Sequence, residues 1–217
     1  MIQVRDVFQV KFGSIDQAVA LFARLPQISA GHAAANSHYH VLTDISGPMY
    51  TLVTELMLES IGDWEKVRDA TFESPDFNEW FTQFQLYVED GRREFYTVEG
   101  ECEDWSRPGV IVVREVYHAL KWQIRPAVAL IQRYGALLVD QGVGQRPRIL
   151  TDASGPMFQV VIEIETDSMS AWETHRRTMF KRPEFQVWFT QLLTQVKSGS
   201  HEFFRVEHNV LTIQGQS

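Results

Sequence analysis

The side chains best suited to chemistry are charged or imidazole groups at alternate positions of predicted strands, because that spacing places them on one face of a sheet. Arg114 and His118 share such a face, and Glu163 takes an equivalent place on a neighbouring strand. A histidine or glutamate whose pKa is tuned by burial can act as a general acid or base. We therefore expect His118 and Glu163 to be catalytic, and Arg114, Arg146 and Arg148 to bind a ligand.

The first half of the chain offers a related set of ligand-binding candidates: His38, His40 and Glu55. Guanidinium forks bind carboxylate, enolate or phosphate groups bidentately, so the expected partner of the whole set is an anionic or polar small molecule. The alternative is structural, with the arginines and glutamates simply pairing with one another where two sheets meet.

Metal and cofactor chemistry find less support in the sequence. The spacing of His38 and His40 occurs in metal sites. Arg146 and Arg148 replace both histidines in the second half, however, and no cysteine or acidic residue stands at a recognisable ligand spacing. We predict no metal and no bound cofactor.

These side chains are carried by an internal duplication. The segment LTDISGPMY at residues 42–50 recurs as LTDASGPMF at residues 150–158, an offset of 108, and 26 of the 58 positions over residues 42–99 are identical to their counterparts. Upstream, residues 4–8 match residues 113–117 at an offset of 109. Such a level of identity between two halves of one chain indicates duplication of a structural unit.

The duplication predicts the domain organisation. We expect a first repeat over residues 1–99, a linker over residues 100–109 and a second repeat over residues 110–217. The linker is rich in glycine, proline and charge, which is typical of a boundary between units.

Within each repeat the hydrophobic periodicity predicts the order β-α-β-β-α-β. Serines at helix starts, prolines that interrupt the second helical region and glycines after the last helix mark the predicted helix boundaries. These residues are Ser60 and Ser168, Pro75 and Pro183, and Gly91 and Gly199.

That element order is typical of a ferredoxin-like unit, in which helices cover one face of an antiparallel sheet. On the third strand of the second repeat, Val160, Ile162 and Ile164 should lie under the helices, which turns Glu163 to the other face. A tandem repeat supplies a second sheet within the same chain. We therefore predict an α+β fold in which tandem ferredoxin-like βαββαβ repeats form an intrachain, pseudo-symmetric α+β barrel.

Composition limits the partners. The chain of 217 residues has a net charge of −8 and no run of basic residues, which disfavours nucleic acid and an anionic membrane surface. Its single cysteine, Cys102, and an N-terminus without signal-peptide character favour the cytoplasm. No apolar run is long enough to span a bilayer. The sequence is compatible with a homodimer of the tandem chain.

Several segments of the second repeat resemble NIPSNAP-type domains of the dimeric α+β barrel superfamily, and the likeness extends over nearly the whole of both halves. They are the strand at residues 114–117, the LTDASGPM hairpin, the helix around Trp172 and the segment from Pro183 to Trp188. Members of that superfamily include cofactor-free monooxygenases, haem enzymes, isomerases and ligand-sensing domains, so the resemblance implies a scaffold and leaves the reaction open.

Two classes of function remain. One is a small-molecule enzyme, such as a cofactor-independent oxygenase or isomerase, acting within one repeat or in the barrel interior. The other is a non-catalytic ligand-binding or protein-assembly module. When the two repeats are aligned, His118 takes the place of Gln9, and Arg148 takes the place of His40. The second repeat is therefore the more cationic, and we expect an anionic ligand there.

Overall fold

A computed structural model of the chain describes residues 1–29, 37–140 and 146–212. The chain divides into two compact units, here called the first unit (Met1–Tyr96 with Val206–Ser217) and the second unit (Thr97–Arg205). The boundaries drawn from the duplication, 1–99, 100–109 and 110–217, stay a prediction.

The first half of the chain contains the predicted element order, with the first helical region divided into two short helices and the second divided at a proline. The bounds are β1 Ile2–Val10, α1 Ile15–Phe22, α2 Leu25–Ser29, β2 Ser37–Ser46, β3 Thr51–Leu58, α3 Ile61–Glu73, α4 Pro75–Tyr87 and β4 Val88–Val98.

The second half repeats this order with one long first helix. The bounds are β5 Ile111–Ala119, α5 Ile124–Asp140, β6 Arg148–Asp152, β7 Gln159–Thr166, α6 Met169–Met179, α7 Pro183–Leu193 and β8 Val196–Thr212.

Strand order confirms the predicted fold class. In the first unit the hydrogen-bonded strand order is β4-β1-β3-β2, and in the second unit it is β8-β5-β7-β6. Each is the strand order of a ferredoxin-like unit. Each of the pairs β1–β3, β2–β3, β5–β7, β5–β8 and β6–β7 is antiparallel.

The helix-facing side of the second unit is assigned correctly by the alternation in β7. Val160, Ile162 and Ile164 are buried in one cluster with the inward faces of α5, α6 and α7. Glu163 is fully buried on the opposite face of the strand, where its Cα pairs with that of Arg114. A period-two pattern therefore separates an apolar face from a charged one, as predicted.

Buried tryptophans anchor the last helix of each unit in the same way. The Trp80 Nε1–H donates to the Leu21 carbonyl at 2.9 Å, and the Trp188 Nε1–H donates to the Leu130 carbonyl at 2.7 Å. These bonds satisfy the one polar atom of a large buried ring. Both tryptophans therefore belong to the hydrophobic core of their unit.

Helix starts also follow the sequence. The Ser60 hydroxyl accepts a hydrogen bond from the Asp63 amide at 3.1 Å, and the Ser168 hydroxyl accepts one from the Ala171 amide at the same distance. Each bond satisfies one of the amides that a helix start leaves unpaired. Helices α4 and α7 begin at Pro75 and Pro183, where proline needs no amide hydrogen.

The prediction that Gly91 and Gly199 end the last helices is wrong, because both lie inside strands. A Cβ at Gly91 would stand 2.8 Å from the Phe8 ring, and one at Gly199 would stand 2.9 Å from the Tyr117 ring. The glycines are needed because an aromatic ring of the neighbouring strand lies against their backbone.

Candidate functional site

A cavity of about 370 Å³ lies in the second unit between the helix-facing side of its sheet and the helices α5, α6 and α7. We call it the Glu115 cavity, because Glu115 is the buried acid on its wall. Its volume falls in the range of pockets that hold small molecules. Seven of its seventeen lining residues are aromatic: Tyr117, Tyr134, Trp172, Phe180, Phe185, Trp188 and Phe189.

Strand register brings two ionisable groups to Glu115. Tyr117 lies two residues further along β5, on the same face, and its hydroxyl donates to Glu115 Oε2 at 2.5 Å. His201 of β8 pairs across the sheet with Glu115, and its Nε2 lies 3.3 Å from Glu115 Oε1. Each carboxylate oxygen thus has one neighbour able to donate a proton. Glu115 itself is only 6% exposed.

The two histidines of the cavity wall have pKa values displaced in opposite directions. The hydrogen bond with Glu115 raises the pKa of His201, which favours its protonated form. Burial, followed by the positive charge of Arg182, lowers the pKa of His175 and favours its neutral form. Opposite displacements in one site separate a proton donor from an acceptor.

Burial also holds the two tyrosines of the cavity in their neutral forms. The pKa of Tyr117 is raised by burial and then by the charge of Glu115, and burial likewise raises the pKa of Tyr134. Both hydroxyls therefore stay hydrogen-bond donors at neutral pH.

The equivalent cavity of the first unit, called the Asp6 cavity, has a volume of only about 130 Å³. Asp6 aligns with Glu115, but Arg93 pairs with it bidentately, with Nε–Oδ1 and Nη2–Oδ2 distances of 2.6 and 2.7 Å. Arg93 aligns with His201. Its guanidinium also lies 5.1 Å from the centre of the Trp64 ring, so this longer side chain occupies space that stays open in the second unit.

Comparisons with known proteins place the whole chain in a known fold. No family model and no curated protein sequence matches it. A solved structure from Fusobacterium nucleatum, provisionally assigned as a monooxygenase, is similar with a TM-score of 0.74 and 10% identity, covering 97% of this chain and 94% of that one. A protein described as anthrone oxidase-like is similar with a TM-score of 0.68 and 14% identity, covering 97% and 93%. These likenesses show the fold alone, an α+β fold made of two ferredoxin-like units.

One repeat also resembles a NIPSNAP domain protein from Burkholderia xenovorans. That likeness has 14% identity and a TM-score of 0.42, and covers 48% of this chain and all of the other. The two full-length likenesses describe the fold alone, and the reaction must be argued from the site.

In the second unit the structure brings together three of the predicted site residues. Glu163 forms an ion pair with Arg114, and its Oε2 lies 3.6 Å from Arg148 Nη1. The Arg148 guanidinium also stacks on Trp105, 4.1 Å from the ring centre. These three residues do not line the Glu115 cavity, and their ligand-binding and catalytic roles stay a prediction.

The structure separates two other candidates from this group. His118 lies half-buried near the end of β5, with its Cα paired to those of Gln159 and Ser198. The inward position predicted for Arg146 is wrong: it precedes β6, is exposed, and pairs with the exposed Glu101 at 2.9 Å. The alternation of residue types in the sequence predicts a strand that already includes Arg146, but β6 begins at Arg148, two residues later.

In the first unit the predicted residues form a similar buried group. The Glu55 carboxylate lies 3.8 Å from His40 Nδ1 and 3.9 Å from Arg5 Nε, and Arg5 also donates to Glu94 at 3.0 Å. His38 is half-buried on the same strand as His40. Among the described residues, no group of three or more His, Cys, Asp or Glu is arranged to hold a metal ion.

Sequence reasoning missed Glu115 and His201. Both lie on the helix-facing side of the sheet, where the apolar alternation predicts core residues and no chemistry. One signal was present: Asp6 and Glu115 place an acid at the same core-facing position of both repeats, between apolar neighbours such as Val113 and Tyr117. An acid retained there requires a partner or a function.

None of the described helices is both long enough and apolar enough to cross a membrane.

Proposed function

We propose that the chain is a small-molecule enzyme that removes a proton from an aromatic phenol or enol in the Glu115 cavity, with Glu115 as the general base. The observation that carries this proposal is the buried Glu115 carboxylate, which faces Tyr117 and His201 on the wall of an aromatic cavity. Its counterpart Asp6 is neutralised by Arg93, which supports a single site in the second unit.

The proton moves from an acidic O–H or C–H of the substrate to Glu115, and the electron pair stays on the substrate as a phenolate or enolate. A protonated His201 stabilises that negative charge. The Tyr117 hydroxyl, released when Glu115 is neutralised, can turn to donate to the same oxyanion. The aromatic wall keeps water away, which strengthens these interactions.

Two outcomes follow from one common step. Return of the proton to a different carbon completes an isomerisation. In the other route the carbanion adds dioxygen to give a peroxide anion, which takes the proton back from Glu115, and the resulting hydroperoxide loses water. For anthrone the second route consumes one dioxygen and yields anthraquinone and one water. Neither route requires a redox cofactor.

Anthrone is a suitable probe because it is flat, aromatic and carries an acidic CH₂ group between its rings. We expect the protein to accelerate exchange of these hydrogens with D₂O under nitrogen, as measured by proton NMR. In Glu115→Gln the acceleration falls by about a hundredfold or more, the contribution of a general base. The matched change Asp6→Asn in the first unit leaves the rate unaltered. A wild-type protein without acceleration, or an active Glu115→Gln variant, contradicts the proposal.

The second candidate is a non-catalytic ligand-binding module. It is favoured by the fact that both Glu115 oxygens already have a neighbour within the protein, so the carboxylate is partly satisfied without a substrate. In that case aromatic compounds bind the cavity but no exchange occurs, which the same experiment detects.

We further propose that the chain is cytoplasmic and that it forms a homodimer. The location is supported by a single half-buried cysteine, Cys102, which has no second cysteine within the chain to pair with. Size-exclusion chromatography with light scattering tests the dimer.

A further inference from the structure

We propose that the Glu115 cavity selects aromatic acids, with Arg176 binding the carboxylate of the ligand while its rings lie among the aromatic side chains. This inference rests on the proposed function, because it names the substrate class of the same cavity. It concerns different residues from those that transfer the proton.

The position of Arg176 is the first observation. Arg176 lines the cavity, and its guanidinium lies 5.5 Å from the centre of the Trp172 ring and 5.1 Å from that of Phe180. Contact with two ring faces holds a long, exposed side chain at the cavity wall. Within the described part of the chain, Arg176 makes no ion pair.

The first unit shows what happens when this arginine has an internal partner. Arg68 aligns with Arg176 and lies 4.9 Å from the centre of the Trp64 ring, as Arg176 lies over Trp172. Its Nε and Nη2 atoms donate to Asp69 at 2.9 and 2.7 Å. In the second unit the residue in place of Asp69 is Arg177, which pairs instead with Glu173 at 2.7 Å. The second unit therefore has no acid at the position next to Arg176 that Asp69 occupies next to Arg68.

The other acids of the cavity wall do not take its place. Asp167 pairs with Arg107 at 2.8 Å, and the Glu165 carboxylate accepts hydrogen bonds from the amide and hydroxyl of Ser106. Their oxygens are engaged by residues other than Arg176. A guanidinium without an internal carboxylate binds an external one bidentately.

His175 gives a second, independent indication that the cavity binds a ligand with a polar atom. Its Nε2 is buried without a hydrogen-bond partner, and it lines the cavity. A buried ring nitrogen left unpaired costs free energy unless a ligand completes its bond. The aligned residue of the first unit is Val67, which has no such atom.

The test compares two isosteric probes, 2-naphthoate and 2-naphthamide, by quenching of tryptophan fluorescence. Wild type should bind the carboxylate more tightly than the amide, by about tenfold for an exposed charged hydrogen bond. Arg176→Gln should remove this preference, Arg176→Lys should keep part of it, and the matched change Arg68→Gln should leave it unaltered.

Three results overturn the inference: no binding of either probe by wild type, equal affinity of wild type for the two probes, or an unchanged preference in Arg176→Gln. None of them decides the proton transfer, which anthrone exchange measures separately. Loss of exchange in wild type with an intact Arg176-dependent preference would instead contradict the proposed function and leave this inference standing.

Discussion

The two units use the same scaffold around an acid at the same position, and they differ in what faces that acid. In the first unit Asp6 is held by Arg93, and the adjoining cavity has about 130 Å³. In the second unit Glu115 faces Tyr117 and His201, and the cavity has about 370 Å³. A short imidazole thus stands in the second unit where the first has a long guanidinium, and the cavity beside it is the larger of the two.

The comparison shows how a duplicated fold can divide its roles. In the first unit an internal acid and an internal base satisfy each other's charge, and the cavity beside them is the smaller of the two. The second unit lacks that ion pair, and the wall of its Glu115 cavity includes a buried polar atom without a partner, His175 Nε2. The units share their order of helices and strands, and they differ in the side chains that face the acid and in the first helical region, which is two short helices in one unit and one long helix in the other.

The largest expected effect comes from giving the second unit the arginine of the first. In His201→Arg the new guanidinium should pair with Glu115 and fill the cavity, so binding of 2-naphthoate and exchange of anthrone are both lost. His201→Gln, which adds no such group, should keep 2-naphthoate binding. Calorimetric titration measures both variants, and a His201→Arg protein with wild-type affinity would show that the comparison is mistaken.

Residues with the same role in both units should respond alike. Trp80→Phe and Trp188→Phe each remove a buried hydrogen bond and leave a small cavity, and each should lower the free energy of unfolding by about 2 kcal/mol. Urea denaturation measures both. A cost confined to one of the two variants would mean that the units do not share this anchor.

Removing the facing base should destabilise the first unit more than the second. In Arg93→Ala the largely buried Asp6 loses its bidentate partner, which should cost about 1 kcal/mol, since Arg93 is 41% exposed and its charge is screened by solvent. His201→Ala should cost less, because its side chain is exposed and Tyr117 still donates to Glu115. Equal costs in urea denaturation would remove the proposed difference between the two pairs.

The smallest effect is a pH dependence that arises from His201 in the second unit. Because Glu115 raises the pKa of His201 in the folded state, the stability it contributes is fully present below the unfolded pKa of about 6.5. It is lost as the pH rises through the folded-state value. NMR titration should find the pKa of His201 above that of His175, and Glu115→Gln should lower it. A His201 pKa that does not respond to Glu115→Gln contradicts this pairing.

Much of the fold could be predicted from the sequence because periodicity and boundary residues are local signals. The alternation of Val160, Ile162 and Ile164 identified the core face of β7, and Ser60 and Pro75 marked true helix starts. Gly91 was misassigned because the need for a missing Cβ comes from Phe8, a residue on another strand.

The candidate site was less predictable, because a cavity depends on volume that distant side chains leave empty. Nothing local to Glu115 shows that His201 is too short to fill the space that Arg93 fills in the first unit. The charges of Arg114 and Glu163 favour a functional site in the sequence, and in the structure the two residues form an ion pair with each other. A comparison of the two repeats position by position on the core-facing strand residues would have identified the Asp6 and Glu115 pair.

The central claim is that the second unit, and not the first, holds the ligand. Indole N–H resonances of the ¹⁵N-labelled protein test it directly, because Trp172 and Trp188 line the Glu115 cavity while Trp64 lines the Asp6 cavity. Titration with 2-naphthoate should shift the Trp172 and Trp188 signals and leave that of Trp64 in place. A shift of Trp64 with no change at Trp172 and Trp188 would contradict the account.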